Sequence, residues 1–272
     1  MELFIVFLFG TLIGSFLNVV ILRIPRDENI AFPASHCFTC STPLKPWHNI
    51  PLFSWLFLGG KCAFCKSPIS SQYPIIELLS GVLFFTIAYK IGITLSSAFV
   101  ALTFLMLLAL SMIDFKYKMA PDSLNLLAIL FAILSAYSFS MFVLNLENAL
   151  LFAGGFTLLR FSLSYILTSI AHSKAKRTQT SWTKNYQTYP FIEAMGEADI
   201  MVAATMGALL GIKLALVSIF VAAVLALPVM LYVQGRSLEE QRVPFIPFLA
   251  MGTFITYLLD TQIYAYLETL YA

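Results

Sequence analysis

Long apolar runs broken by short polar stretches fill most of the 272-residue chain. A bilayer core of about 30 Å takes roughly 20 apolar residues per helical span. Runs at 3–22, 95–113, 123–144, 149–171 and 214–233 meet that length with few or no charges. Three weaker runs lie at 75–88, which carries Glu77, at 200–212, which is short, and at 244–259, which carries Pro244 and Pro247. The pattern predicts an all-α, polytopic membrane protein with about eight transmembrane helices. The first run lacks a basic leading region and reaches Asn18 and Arg23 without a small-residue cleavage site, so it is expected to be a retained helix.

Composition strengthens this reading. Hydrophobic residues make up 60% of the chain and charged residues 11%, and mean hydropathy is +0.86, which excludes an ordinary water-soluble domain. Orientation follows the placement of Lys and Arg on the loops. With the N-terminus outside, eight alternating spans leave 13 of the 16 basic residues inside, only Lys90 and Lys213 outside, and Arg160 within a span. The expected location is a membrane, with most bases on its cytoplasmic side. Lipid is an expected contact and nucleic acid is not.

Three regions follow: a first transmembrane helix at 1–22, a cytoplasmic module at 23–73, and a multi-helix membrane domain at 74–272. A second polar stretch, from His172 to Glu193, reads as a solvated loop with bases that could meet anionic head groups. No internal repeat of 20 to 50 residues is apparent.

All four cysteines fall in the first polar module, as Cys37-x-x-Cys40 and Cys62-x-x-Cys65. Two such knuckles suit one structural zinc ion held by four thiolates, which can order a loop too short to build its own core. Two disulfides or a redox dithiol are the alternatives, disfavoured by a reducing cytoplasm. Four sulfur ligands leave no open position, so such a metal would be structural.

Acidic residues are scarce, and five stand at helix ends: Asp114, Asp122, Glu193, Glu197 and Asp199. An ionisable group at membrane depth is costly unless it is paired or faces water. Asp114 closes one apolar run and Asp199 opens another, which places both at one interface. Two carboxylates held close share a proton and can activate a water, the chemistry of aspartyl proteases. Spacing alone leaves open that such acids merely cap helices, and Pro121-Asp122-Ser123 reads as a helix start.

Read together, these segments resemble the prepilin peptidases, bifunctional leader peptidases and N-methyltransferases. The resemblance covers Gly14-Ser15-Phe16-Leu17-Asn18, the cysteine block with Trp47-His48-Asn49-Ile50-Pro51, and Gln72-Tyr73-Pro74 with Glu77. It continues through Ile113-Asp114, Ala120-Pro121-Asp122, Gly196-Glu197-Ala198-Asp199 and Pro244-Phe245-Ile246-Pro247. It implies Asp114 and Asp199 as catalytic, and Cys37, Cys40, Cys62 and Cys65 as zinc ligands. It also implies a type IV prepilin or pseudopilin substrate cut at the cytoplasmic membrane face, then N-methylated with S-adenosylmethionine. Three positions depart from the family pattern. Ala198 replaces a glycine, which matters if that position needs a left-handed backbone. Gln72 and Ala120 stand where the family often has Arg and Ile. Arg160 is expected to form an ion pair inside the protein, with a substrate or cofactor contact as the alternative. The competing function is a non-enzymatic transporter or assembly scaffold with a zinc-ordered docking loop.

Overall fold

The computed structural model describes residues 1–178, 192–233 and 243–271. Among them the only regular elements are helices: α1 (Glu2–Arg23), α2 (Phe53–Phe57), α3 (Gln72–Ile91), α4 (Leu95–Tyr117), α5 (Asp122–Leu134), α6 (Phe139–Thr178), α7 (Glu197–Val233), α8 (Ile246–Leu258) and α9 (Asp260–Tyr271), with two short 3-10 turns. Most of the expected polar loop at His172–Glu193 lies outside the described residues.

The bundle forms around α4, whose Leu105, Leu107, Leu110 and Ile113 are almost fully buried. Its start is fixed by a capping box between Thr94 and Ser97. It stops where Lys118 turns left-handed (φ 54°) and donates its N–H to the Asp114 carbonyl. That stop leaves Asp114 in the last turn, at the bundle end where α1 finishes and α3 begins.

Small residues bring α1 against α3. A Cβ added at Gly14 would meet the Ser80 Cβ at 2.7 Å, and one at Gly10 would meet the Ser80 carbonyl at 2.8 Å. Without water to drive helices together, such close backbone approach is a main source of packing in lipid. Outward faces stay apolar: Phe4, Phe9, Leu12 and Phe16 of α1 are exposed, as are Leu158 of α6 and Phe220 of α7. At the opposite end, Lys90 closes α3 onto α8 and α9. Its ammonium donates to the Tyr257 and Leu258 carbonyls and pairs with Asp260 at 2.8 Å.

Among the described residues, five helices are long and apolar enough to cross a membrane, or six if α8 and α9, bent by 76°, count as one span. Length and composition alone do not confirm the expected eight, since this count takes α7 as one helix and leaves out the 13-residue α5. The run at 123–144 divides: α5 ends at Leu134 after 13 residues, and α6 begins at Phe139. The polar residues between them supply the break. Ser135 bonds back to the Ala132 carbonyl, and the Ser138 hydroxyl accepts from the Met141 amide. The runs at 200–212 and 214–233 are two helical arms of α7 that meet at Gly211, whose backbone (φ 71°, ψ 176°) is not helical, and the second arm returns so that Leu227 and Met230 lie beside Gly196 and Asp199. Glycine adopts that backbone without a Cβ clash.

The cysteine module contains a repeat that the sequence reading does not anticipate. His36 bridges Pro43 as Lys61 bridges Pro68, an offset of 25 residues (61 minus 36). In each copy the residue after the second cysteine, Ser41 or Lys66, is left-handed and donates its N–H to the carbonyl of the first, Cys37 or Cys62. His36-Cys37-Phe38-Thr39-Cys40 and Lys61-Cys62-Ala63-Phe64-Cys65 share too few identical residues for the repeat to stand out before the turns are seen.

Candidate active site and metal centre

Asp114, in the last turn of α4, turns its Oδ2 to the start of α8 and accepts the Ile246 amide at 3.1 Å, with the Phe245 amide beside it. A helix N-terminus presents unsatisfied N–H groups and a partial positive charge, so it suits a carboxylate. Pro247, in the first turn of α8, fits there because its missing N–H would have had no helical partner.

Asp199 lies in the first turn of α7 and accepts the Gly196 amide, within electrostatic reach of Asp114. The chain therefore places the two carboxylates at the same end of the bundle, although 85 residues (199 minus 114) separate them. A groove of about 880 Å³ opens beside Asp199, lined by Met195, Gly196, Leu227, Met230 and Val243 among others. Asp114 does not line it.

The strand of chain before Asp199 is held by one stripe of α6. Arg160 pairs with Glu197 at 3.1 Å and Glu193 at 3.2 Å. Ser164 accepts the Ala194 amide and Thr168 the Ile192 amide, each at 3.0 Å. Residues 160, 164 and 168 are four apart and so share a face. The expected ion pair of Arg160 is present, and its partners are the two acids that flank Gly196. Asp122 opens α5 after Pro121, as the helix-start reading requires.

The four cysteine sulfurs lie within 4.8 Å of one another, and no His, Asp or Glu joins the cluster among the described residues. The Cys37 and Cys65 sulfurs are 3.8 Å apart. Tetrahedral thiolates at ~2.3 Å from one zinc ion would stand about 3.8 Å apart, so the donor set fits. The Cys40 and Thr39 amides lower the Cys37 thiol to about 6. Cys62 differs: the Cys65 and Phe64 amides favour its thiolate, but burial and the neighbouring Cys37 and Cys65 sulfurs leave it raised.

Residues 8–91 match the bacterial peptidase A24 N-terminal domain, and residues 101–231 match the type IV leader peptidase family. The prepilin leader peptidase/N-methyltransferase of Dichelobacter nodosus is 32% identical, over 96% of this chain and 93% of its own length. The protein of the same name from Stutzerimonas stutzeri is 35% identical, over 94% and 90%. The chain belongs to the type IV leader peptidase family. No solved structure matches it.

For this leader peptidase family member, the exchange of glycine for Ala198 is accounted for by local backbone. Ala198 sits in the first turn of α7 and is not among the left-handed residues, so an L side chain fits without strain. Sequence reasoning missed the α8 amides and the Ser164 and Thr168 hydroxyls. The first are backbone groups that any residue but proline would supply, and the others are common residues with no pattern of their own. Their four-residue spacing from Arg160 is the one signal that could have found them.

Proposed function

We propose that this protein is a membrane aspartyl endopeptidase that removes the basic leader from type IV prepilins or pseudopilins and then methylates the new N-terminus. The observation that carries the reading is the approach of Asp114 and Asp199 at the end of the bundle beside a partly apolar groove. Family membership supplies the substrate class.

Asp114 and Asp199 are the catalytic pair and share one proton. The ionised member takes a proton from the attacking water, while the protonated one polarises the scissile carbonyl and later protonates the leaving amine. The α8 amides hold Asp114 in place, and the Gly196 amide and the Arg160 ion pairs hold Asp199. Leu227 and Met230 offer the apolar wall against which a substrate's hydrophobic stem would lie.

The site faces the cytoplasm of the bacterial inner membrane. Arg23, Arg26, Lys116 and Lys118 cluster at its end of the bundle, while Lys90 lies at the other, which agrees with an excess of positive charge inside. Cys37, Cys40, Cys62 and Cys65 hold one structural zinc ion, which when bound orders the two knuckles. S-adenosylmethionine is the methyl donor and a co-substrate.

The test is reconstitution of the full chain with a peptide that joins a basic leader to an apolar stem. Cleavage at the boundary, followed by methyl transfer from labelled S-adenosylmethionine to the new amine, is the expected result. A chain that binds the peptide and leaves it intact contradicts the reading.

A further inference from the structure

The cysteine module, read from sequence as a cytoplasmic loop domain, reaches down beside the first turns of the spans that flank it. Leu52, immediately before α2, donates its amide to Glu77 Oε2 at 2.7 Å, with Ser15 of α1 beside the same carboxylate. Glu77 is five residues into α3 and Ser15 eight residues short of the end of α1. At 1.5 Å per residue, both lie about 8 to 12 Å inside the ends of their helices. The lipid-facing residues of α3 begin before that depth, at Ile75, which is half exposed.

Directly after Leu52, α2 turns apolar side chains outward: Phe53, Leu56 and Phe57 are 50, 66 and 87% exposed. The backbone around α2 is pinned from the inner side. Leu52 is left-handed (φ 62°), Trp55 packs on Gly60, and its indole N–H donates to the Ile69 carbonyl. Neither flank leaves α2 free to turn its apolar face elsewhere. The rest of the module shows exposed Trp47 and Phe64 with exposed Lys45, Lys61 and Lys66 near them in sequence, and the Lys45 ammonium stands 5.3 Å from the Trp47 ring. Aromatic rings beside bases are the composition of a membrane–water boundary.

We infer that α2 is an interfacial anchor, with Leu56 and Phe57 inserted among the lipid acyl chains next to the head groups. The module is thereby held in fixed register with the bundle end that carries Asp114. Its occupant is the bilayer itself, because the apolar face lies at bilayer depth on a segment tethered at both ends by spans.

The experiment uses the full chain in phosphatidylcholine and phosphatidylglycerol vesicles, without substrate. Phe57→Trp and, separately, Leu56→Trp add one indole to the wild-type emission. In vesicles whose lipids are brominated near the head group, the added emission is expected to lose about half or more of its intensity, as for a side chain buried 5 to 10 Å into the boundary, and to resist aqueous iodide. Quenching by iodide but not by brominated lipid would put α2 in water and overturn the proposal. Protection from both quenchers would also overturn it, because the face would then be covered by protein.

Discussion

The Asp114 carboxylate accepts the Ile246 amide at 3.1 Å, although 132 residues separate them. The link joins the end of α4 to the start of α8 and fixes the direction of one acid of the proposed pair. A hydrogen bond to a charged group is worth about 1.5–3 kcal/mol. Ile246→Pro removes the N–H at a helix position that tolerates proline, so it should lower kcat/KM by roughly 10- to 100-fold. Ile246→Val keeps the amide and should cost only about 0.5–1.5 kcal/mol of stability. Cleavage kinetics beside thermal melts in detergent separate the two effects.

Arg160 holds Glu193 and Glu197 on either side of Gly196. Both acids are largely exposed, so the pairs should contribute little to global stability. Arg160→Met should therefore leave the melting temperature nearly unchanged, while the segment leading to Asp199 loosens. The expected loss is roughly two- to fivefold in kcat/KM. High salt should weaken the wild type in the same direction and leave the variant little affected.

Helix packing makes a sharper contrast. Gly14→Ala would put a Cβ 2.7 Å from the Ser80 Cβ and 2.9 Å from the Glu77 Cα, forcing α1 away from α3. Overpacking of this kind costs about 1–3 kcal/mol. Gly154 and Gly155 of α6 face open space within 4 Å, so alanine there should be neutral or stabilising by up to about 1 kcal/mol. Unfolding in detergent ranks the three.

Metal binding should be visible in protons. Cys37, lowered to about 6, is already a thiolate at pH 7, whereas the raised Cys62 must give up its proton to bind. Zinc should load at one per chain and release fewer than four protons, measured by calorimetry in buffers of different ionisation enthalpy. The lowered Cys37 favours the ligand form above pH 6 and loses that advantage as pH falls through it, so zinc retention against a chelator should weaken there. Cys62→Ser should abolish loading.

Much of this was legible in the sequence because its causes are local. Apolar runs the length of a bilayer set α1 and α4, and a weaker run set α3. The two Cys-x-x-Cys pairs marked the cysteine cluster, and the isolated acids marked the candidate site. Boundaries were less legible where polarity, not length, decides: Ser135 and Ser138 end a run that hydropathy carries through, whereas Gly211 divides α7 between the runs at 200–212 and 214–233. The α8 amides carried no sequence signal, since the groups that hold Asp114 belong to the backbone. The depth of α2 depends on a contact between Leu52 and Glu77, 25 residues apart, which no periodicity encodes.

The most direct measurement compares Asp114→Asn, Asp199→Asn and the double variant in the cleavage assay, each checked for zinc content and folding. If the two carboxylates act as one unit, each single change lowers cleavage by roughly 10³-fold or more, and the double variant is no worse than the singles. A folded, metal-loaded single variant that still cleaves near the wild-type rate, or losses that simply add in the double variant, would contradict the paired-aspartate account.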